Sequence, residues 1–427
     1  MVEGIIAKSY GDAWLLITGG GHVDFGSGLE TVINAGRERG KKILASADGW
    51  KGISSSPPFV YDITDYPVEN LRYFGGSFIG SSRTKPKDPQ LVVDNIRKYG
   101  DVVVITYGGE DTLGVAWNLH REFELPIVGW PKTMDNDSQG SHATIGYTSA
   151  VYRAAQATRE AFDYAFTHSK IVVLPMFGRK FDWVSGGAAD YGFAEYVIPA
   201  ERKDLTLAQV AEGIKEKVRE NNEVYRRPFA VVVVSEAADQ LIGLEVFLNK
   251  YLQKRNFDEF EHIKLRPEAL ALALEDALSE YLGVKKETET IVSKVLTYHL
   301  RDGKLYGLDE VFARMTAAEC IRLIDRAEFG RVATVQNPEY SGNWPNDPSA
   351  WINAHGTTLF VSSIPLELAA QKKPVAGTPF FDYDELSPTK QMSAYLRTLL
   401  GEKNVNPRDK ITHLKLAAPV RYEDLPS

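Results

Sequence analysis

Short apolar runs recur along the chain, and each one ends at glycine or at a small polar residue. Four of these runs are rich in β-branched residues: Trp14–Thr18, Asp101–Thr106, Lys170–Leu174 and Phe229–Ser235. Such runs are typical of strands buried in a parallel sheet. Helical patterns lie between them, in Leu29–Gly40, Pro89–Tyr99, Gly146–Thr167, Thr206–Asn221, Arg266–Tyr281 and Asp309–Ala327. This alternation predicts an α/β architecture with mainly parallel sheets, in which ligands bind where strands end and loops meet helices.

Composition narrows the class of protein. The length of 427 residues favours two or three domains, and the net charge of −8 argues against a nucleic-acid or membrane surface as the main partner. Cys320 is the only cysteine, which excludes an intrachain disulfide and fits a cytoplasmic location. We find neither a signal peptide nor an apolar stretch near the roughly 18 residues that a membrane helix needs. Two polar stretches, Asp135–Gly146 and Pro338–Ser349, predict a domain edge and a surface loop.

The stretch Tyr107–Thr112 reads YGGEDT and follows a predicted strand. Its two glycines allow the backbone to approach an anion closely. The adjacent carboxylates of Glu110 and Asp111 suit Mg²⁺, which prefers oxygen ligands and substrate phosphates. The alternative is an acidic start for the helix that begins near Thr112.

The stretch Pro131–Asp137 reads PKTMDND and joins two carboxylates, a lysine and a hydroxyl. If this segment is extended, Asp135 and Asp137 face the same way. A carboxylate there could accept the proton of a sugar hydroxyl that attacks phosphorus, and Lys132 could neutralise the transferring group. The alternative is an ordinary polar turn.

Basic residues beside glycines form a third group of candidates. Gly75–Pro86 carries Arg83 and Lys85, which could grip phosphate oxygens. A solvated basic loop is the alternative here, as it is for Arg179 in Gly178-Arg179-Lys180 and for Arg301.

Taken together and in order, GGEDT, PKTMDND, ATIGYTSAV, FGR, AEYVIPAE and YHLRDG resemble the phosphofructokinase family, over roughly residues 14–375. The resemblance implies two Rossmann-like domains with an active-site cleft between them. It places a donor domain at 1–142, joined by part of 304–330, a sugar-phosphate domain at 143–303, and a segment at 331–427 that completes the second domain. It also implies a homodimer or homotetramer that acts on fructose 6-phosphate with Mg²⁺.

The resemblance also implies roles for individual residues. Asp135 matches the general base, and Asp137 matches a group that supports the transferring phosphoryl. Lys132 matches a lysine of pyrophosphate users and Arg179 matches a substrate-binding arginine, so the resemblance makes all four candidate catalytic residues. Glu110 stands at the magnesium-binding acid. Donor contacts fall on Gly21, Arg83, Gly109, Asp111, Thr112 and Lys132. Sugar-phosphate contacts fall on Thr133, Met134, Asp135, Lys170, Phe177, Gly178, Arg179, Glu201, Tyr298, His299, Leu300 and Arg301, and Lys170 also matches a residue that reaches a neighbouring subunit.

Two positions bear on the phosphoryl donor. ATP-using members usually have glycine where this chain has Asp111, and many have glycine at Lys132. A carboxylate at Asp111 would crowd and repel the α-phosphate of ATP, whereas Lys132 can bind the outer phosphate of pyrophosphate. We therefore predict reversible phosphoryl transfer from pyrophosphate to fructose 6-phosphate.

Departures from the family pattern keep two alternatives open. His22 replaces an aspartate of the first glycine loop, Pro175 replaces a glutamate, and Val292, with Lys294 nearby, stands where the 6-phosphate pocket has a second arginine. An ATP-dependent sugar-phosphate kinase of the same fold is one alternative. A non-catalytic regulatory subunit is the other.

Overall fold

The computed structural model describes residues 10–20, 24–252, 267–285, 289–336 and 359–411. The strands are β1 Ala13–Thr18, β2 Lys42–Ser46, β3 Val60–Asp62, β4 Val102–Gly108, β5 Ile127–Thr133, β6 Ile145–Gly146, β7 Ile171–Met176, β8 Tyr196–Ile198, β9 Ala230–Ser235, β10 Ile291–Ser293, β11 Arg331–Gln336, β12 Phe360–Pro365, β13 Phe381–Asp382 and β14 Ser387–Pro388.

The helices are α1 Gly26–Glu38, α2 Trp50–Ile53, α3 Pro89–Arg97, α4 Glu110–Phe123, α5 Tyr147–His168, α6 Trp183–Gly192, α7 Leu207–Tyr225, α8 Glu245–Leu248, α9 Pro267–Leu282, α10 Tyr298–Arg301, α11 Leu308–Asp325, α12 Leu366–Ala369, α13 Lys390–Leu400 and α14 Pro407–Ile411. Two 3₁₀ turns lie at Leu71–Tyr73 and Glu236–Gln240. No helix in the described part of the chain combines the length and the apolar character that crossing a membrane requires.

The described residues form two compact units. The first takes in those of 1–151 and 298–379, and the second takes in those of 152–253, 266–297 and 380–427. The chain passes from the first unit to the second within α5, after Val151. Of the segment 331–427, which is expected to complete the second domain, β11 and β12 instead extend the sheet of the first unit, while the described residues from 380 onward lie in the second unit. The YHLRDG stretch also lies in the first unit.

The first unit is built on a sheet with the order β12-β11-β5-β4-β1-β2-β3, and β6 pairs with β5. Its inner pairs are parallel, while β3 and β12 run antiparallel at the edges. One face packs on α1 and α11 through large side chains such as Trp14 and Trp130, and the other face packs around Leu15 and Leu113. In the parallel register, Tyr107 of β4 lies opposite both Thr18 and Trp130. The carboxyl ends of β1, β4 and β5 therefore meet at one edge.

The second unit has a parallel sheet with the order β10-β7-β9-β8. Valines such as Val173 and Val232 pack against α7 and α9 through Val210 and Leu274. Helix α7 begins with a capping box, in which Thr206 accepts from the backbone N–H of Gln209 while the Gln209 side chain accepts from Thr206. This exchange satisfies two backbone donors that a helix start otherwise leaves unpaired.

The α/β class with mainly parallel sheets is confirmed, and all four strands and six helices singled out in the sequence are present. The stretch Asp135–Gly146, where we expect a domain edge, is polar but buried apart from the half-buried Gln139, and the first unit continues past it to Val151. The reason is that these polar side chains find partners inside the first unit. Pro338–Ser349 lies outside the described residues.

Candidate active site

Three loops meet at the carboxyl edge of the first unit's sheet. Gly19 donates its backbone N–H to the carbonyl of Tyr107 at 2.8 Å. A Cβ added to Gly19 would lie 1.9 Å from Oγ1 of Thr112, so only glycine fits this approach of the two loops. The exposed Arg83 lies over Gly20, since the Cγ atom of Arg83 would be 3.7 Å from a Cβ added to Gly20. Gly21 and His22 lie outside the described residues.

Helix α4 begins at the GGEDT turn. Gly109 is its N-cap, and Glu110 and Asp111 occupy its first turn. Carboxylates at this end of a helix complement the helix dipole, so the alternative interpretation as an acidic helix start describes their local geometry. The Oε1 atom of Glu110 lies 3.6 Å from Nζ of Lys372. A Cβ on Gly109 would lie 3.6 Å from that of Thr133, which brings this turn beside the PKTMDND stretch.

Lys132 is the most unusual residue of the site. Its side chain is 1% exposed on β5, and its Nζ lies 3.6 Å from the ring centre of Phe25. Among the described residues this Nζ has no hydrogen-bond partner. Burial lowers the pKa of Lys132 well below its usual range, the carboxylate of Asp24 opposes that shift, and Arg301 adds to it. A buried ammonium without hydrogen bonds is unfavourable until an anion reaches it.

Asp24 supplies charge opposite this lysine, and we did not single it out in the sequence. Its Oδ1 accepts from the backbone of Gly26 at 2.9 Å, and its Oδ2 accepts from the backbone of Leu305 at 2.8 Å. Burial raises the pKa of Asp24, whereas these two hydrogen bonds and Lys132 lower it. The only local signal was an aspartate two residues before a helix that begins with glycine.

Asp135 and Asp137 sit on a buried turn rather than on an extended strand. Asp135 donates its backbone N–H to Oγ1 of Thr133 at 3.2 Å, and that hydroxyl donates to Oδ2 of Asp135 at 3.1 Å. Asn136 between the aspartates has a φ of 54°, so the backbone is not extended here and the condition under which both aspartates would face the same way is not met. The turn is not a solvated one either, since Met134 and both aspartates are buried.

Lys373 anchors this turn, and no local sequence pattern indicates that role. Its Nζ donates to Oδ1 of Asn136 at 3.0 Å and to the backbone oxygens of Ser141 and His142 at 2.8 and 3.4 Å. The side chain is 2% exposed. Burial lowers the pKa of Lys373 well below its usual range, and the charge of Asp137 opposes the shift. Lys373 thus holds the backbone around the two aspartates.

The second unit carries the candidates Phe177, Gly178, Arg179 and Glu201. A single carboxylate oxygen of Glu236 accepts from the backbones of Gly178 and Arg179, at 3.2 and 2.8 Å. Arg179 has a φ of 58°, a conformation that these bonds help to fix. Phe177 donates its backbone N–H to Leu296, and the half-buried Lys170 directly precedes β7.

Asp182 connects the Arg179 and Glu201 loops. Its Oδ1 accepts from the backbone of Ala200 at 2.8 Å, and its Oδ2 accepts from that of Glu201 at 3.0 Å and from the hydroxyl of Tyr383 at 2.9 Å. In return, Oε1 of Glu201 accepts from the backbone N–H of Asp182 at 2.9 Å. Burial raises the pKa of Asp182, and its hydrogen bonds oppose the shift. We missed this organising residue in the sequence.

Helix α10 holds the YHLR candidates within the first unit. The guanidinium carbon of Arg301 lies 4.7 Å from the ring centre of Tyr298, and Arg301 Nε lies 3.7 Å from Asp302 Oδ1. Tyr298 and His299 are exposed, but Leu300 is fully buried. The side chain of Leu300 therefore serves the core of this unit, and only its backbone is left for a ligand.

Comparison with known proteins assigns the family. Residues 16–324 match the family model described as Phosphofructokinase. The chain belongs to the phosphofructokinase family. A pyrophosphate–fructose 6-phosphate 1-phosphotransferase of Amycolatopsis methanolica is 30% identical, over 76% of this chain and 90% of the relative. An enzyme of the same name from Dictyoglomus thermophilum is 27% identical, over 76% of this chain and 89% of its own.

Other relatives of this chain carry a different phosphoryl donor in their names. The ATP-dependent 6-phosphofructokinase 3 of Streptomyces coelicolor is 28% identical, over 76% of this chain and 91% of the relative. Among solved structures, a pyrophosphate-dependent phosphofructokinase from Nitrosospira multiformis has a TM-score of 0.69 at 18% identity and covers 96% of this chain and 98% of its own. That likeness establishes the fold.

Phosphofructokinases generally use Mg²⁺, and the carboxylates of this site fit a cation that also takes phosphate oxygens as ligands. Within the described residues, no group of three or more His, Cys, Asp or Glu side chains is placed to hold a metal ion. Mg²⁺ is commonly bound by only one or two carboxylates together with substrate phosphates. Glu110, with Asp111 beside it, provides carboxylates of that kind.

Proposed function

We propose that this protein transfers a phosphoryl group reversibly between pyrophosphate and fructose 6-phosphate, giving fructose 1,6-bisphosphate and phosphate. The observation that carries the proposal is Lys132, a fully buried amine without a hydrogen-bond partner among the described residues, at the end of β5 beside Thr133. A pyrophosphate oxygen would supply the missing acceptor and restore the charged form of the amine. Four relatives with this activity in their names support the same function.

Asp111 determines the specificity for the phosphoryl donor. It lies in the first turn of α4, beside Gly109 and close to the loop of Gly19. A carboxylate at this place repels the α-phosphate that ATP carries beyond its two outer phosphates, whereas pyrophosphate has no third phosphate to meet it. The pair of Asp111 and Lys132 therefore selects the shorter donor.

In the transfer step, Asp135 accepts the proton of the sugar 1-hydroxyl as that oxygen attacks phosphorus. The new O–P bond forms as the bridging P–O bond breaks, and phosphate leaves. Lys132 on β5 and Asp137 on the turn that follows it orient the transferring group, and Arg179 adds positive charge. Glu110 would hold Mg²⁺, which neutralises donor charge.

The remaining candidates bind the two substrates. Gly21, Arg83, Gly109 and Thr112 contact the donor. The sugar phosphate is held by Thr133, Met134, Lys170, Phe177, Gly178, Glu201, Tyr298, His299, Leu300 and Arg301. We further propose a cytoplasmic homodimer or homotetramer in which Lys170 reaches a neighbouring subunit. Sedimentation at the mass of a single chain, with full activity, would contradict this assembly.

An ATP-dependent reaction is the second candidate, because several ATP-dependent relatives are about as similar to this chain. The test is to supply fructose 6-phosphate and Mg²⁺ with either donor and to measure the bisphosphate formed. We expect turnover with pyrophosphate, and we expect Asp111→Gly to raise ATP use from undetectable to measurable. Better use of ATP than of pyrophosphate by the wild type would refute the role of Asp111.

A further inference from the structure

The segment of residues 369–373 runs along the turn that carries Asp135 and Asp137, which we call the aspartate turn. Ser138 donates its hydroxyl to the backbone oxygen of Ala369 at 2.7 Å, and Gln139 donates its N–H to that of Gln371 at 2.9 Å. Lys372 pairs with Ser138 as an antiparallel bridge. The match to the family model ends at residue 324, so this segment lies beyond the matched region. Its backbone is nevertheless fixed against the PKTMDND turn.

Two lysines of this segment have different surroundings. Lys373 is buried in the aspartate turn, as described above. Lys372 reaches the first turn of α4 instead, where its Nζ lies 3.6 Å from Oε1 of Glu110. The side chains of Lys372 and Glu110 are 44% and 18% exposed. A cation with an anchored backbone and a flexible, half-exposed side chain thus pairs with the carboxylate proposed for Mg²⁺.

We propose that Lys372 is a further pyrophosphate-binding residue, which pairs with Glu110 when the donor is absent and with a phosphate oxygen when the donor is bound. This inference rests on the proposed function. When Glu110 turns to the magnesium that accompanies pyrophosphate, its pair with Lys372 is lost. The released ammonium then lies close to the negative charge of the donor, and a charge-assisted hydrogen bond replaces the ion pair.

The exchange is energetically accessible because the starting pair is weak. Its atoms are 3.6 Å apart and Lys372 is well hydrated, conditions under which an ion pair contributes little to stability. In both states Glu110 and Lys372 each face an opposite charge. Lys372 therefore competes with the metal for Glu110 in the free protein and assists the donor in the complex.

These two roles predict opposite effects of one substitution. In Lys372→Gln, Mn²⁺ used as a probe for Mg²⁺ should bind the donor-free protein about two- to fivefold more tightly, since the competing cation is gone. Imidodiphosphate, a pyrophosphate analogue that cannot transfer its phosphoryl group, should bind about tenfold more weakly in the presence of Mg²⁺. Water-proton relaxation measures the first affinity, and calorimetry measures the second.

Two further variants serve as controls on the full chain. Lys372→Arg keeps the charge and should restore analogue binding. Lys250→Gln removes a similar pair in the second unit, in which Nζ lies 3.8 Å from Oδ2 of Asp276 at exposures of 54% and 14%. It should change neither affinity.

The outcomes separate the possibilities. Unchanged analogue affinity in Lys372→Gln, or unchanged Mn²⁺ affinity, overturns the exchange. If both affinities weaken together, Lys372 acts only by supporting the turn and the inference is wrong. If the proposed function itself is wrong, the wild type will bind no imidodiphosphate and will use ATP. That result is distinct from any outcome that concerns Lys372 alone.

Discussion

Replacing Lys132 by methionine should stabilise the protein and strongly slow its reaction with pyrophosphate. Methionine keeps most of the length of the side chain and removes an amine that has no hydrogen-bond partner among the described residues. Burial of a polar group without a hydrogen bond is unfavourable by about 1–3 kcal/mol, so the free energy of unfolding should rise by about that amount. Loss of the positive charge near the transferring group should lower kcat by about 10²–10³-fold.

Lys373 is the matched control. It is buried to nearly the same extent, 2% against 1%, but its Nζ makes three hydrogen bonds to the aspartate turn. Lys373→Met leaves these acceptors without their donor and should lower the free energy of unfolding by about 3–5 kcal/mol. Both lysines belong to the first unit, so denaturant titrations of the two variants follow the same transition.

The pH dependence gives a second check on Lys132. Its pKa is lowered on folding, so between the folded value and about 10.5 the unfolded chain binds a proton that the folded chain does not. The free energy of unfolding of the wild type therefore rises with pH in that window. The increase in this free energy that Lys132→Met produces should shrink accordingly. A methionine variant that is less stable than the wild type, or one that turns over pyrophosphate at close to the wild-type rate, would refute this reasoning.

Two other substitutions test separate parts of the site. Asp135→Ser should lower kcat by about 10²–10⁴-fold with little change in sugar binding, and near-normal turnover would remove Asp135 from the role of general base. His142→Gln tests buried electrostatics, because burial, with Lys373 adding to it, lowers the pKa of His142 to about 3. The unfolded chain takes up a proton there below about 6.5, so from pH 6.5 to pH 5 the wild type should lose about 2 kcal/mol relative to the variant in denaturant titrations. An unchanged difference would contradict that shift.

The elements of the fold were predictable because hydrophobic periodicity is a local property. The apolar run before YGGEDT became β4, and the helical pattern after PKTMDND became α5. Each of the motifs GGEDT and PKTMDND follows or ends a strand, and these two strands, β4 and β5, are parallel neighbours. The two motifs therefore lie side by side, since parallel strands present their carboxyl ends on one edge. Family resemblance then supplied chemical roles that periodicity alone cannot.

The supporting residues were not predictable, because each one acts on a distant part of the chain. Asp24 accepts from Leu305, 281 residues away, and Lys373 donates to Asn136 across 237 residues. Asp182 accepts from Tyr383 across 201 residues. In the sequence, Lys373 belongs to an Ala-Gln-Lys-Lys-Pro run that reads as solvated surface. Only the folded chain shows that one lysine of this run is buried.

The contrast between Lys132 and Lys373 shows why burial alone does not identify a functional lysine. Both amines lose hydration, and burial lowers the pKa of each. The hydrogen bonds of Lys373 compensate for that loss inside the protein, which marks a structural role. Among the described residues, the ring of Phe25 and the charge of Asp24 favour the ammonium of Lys132 while Arg301 opposes it, so the compensation is incomplete until an anion binds. A protein that retains this unfavourable arrangement gains from it in the bound state, and pyrophosphate has the charge and the oxygen atoms to provide that gain.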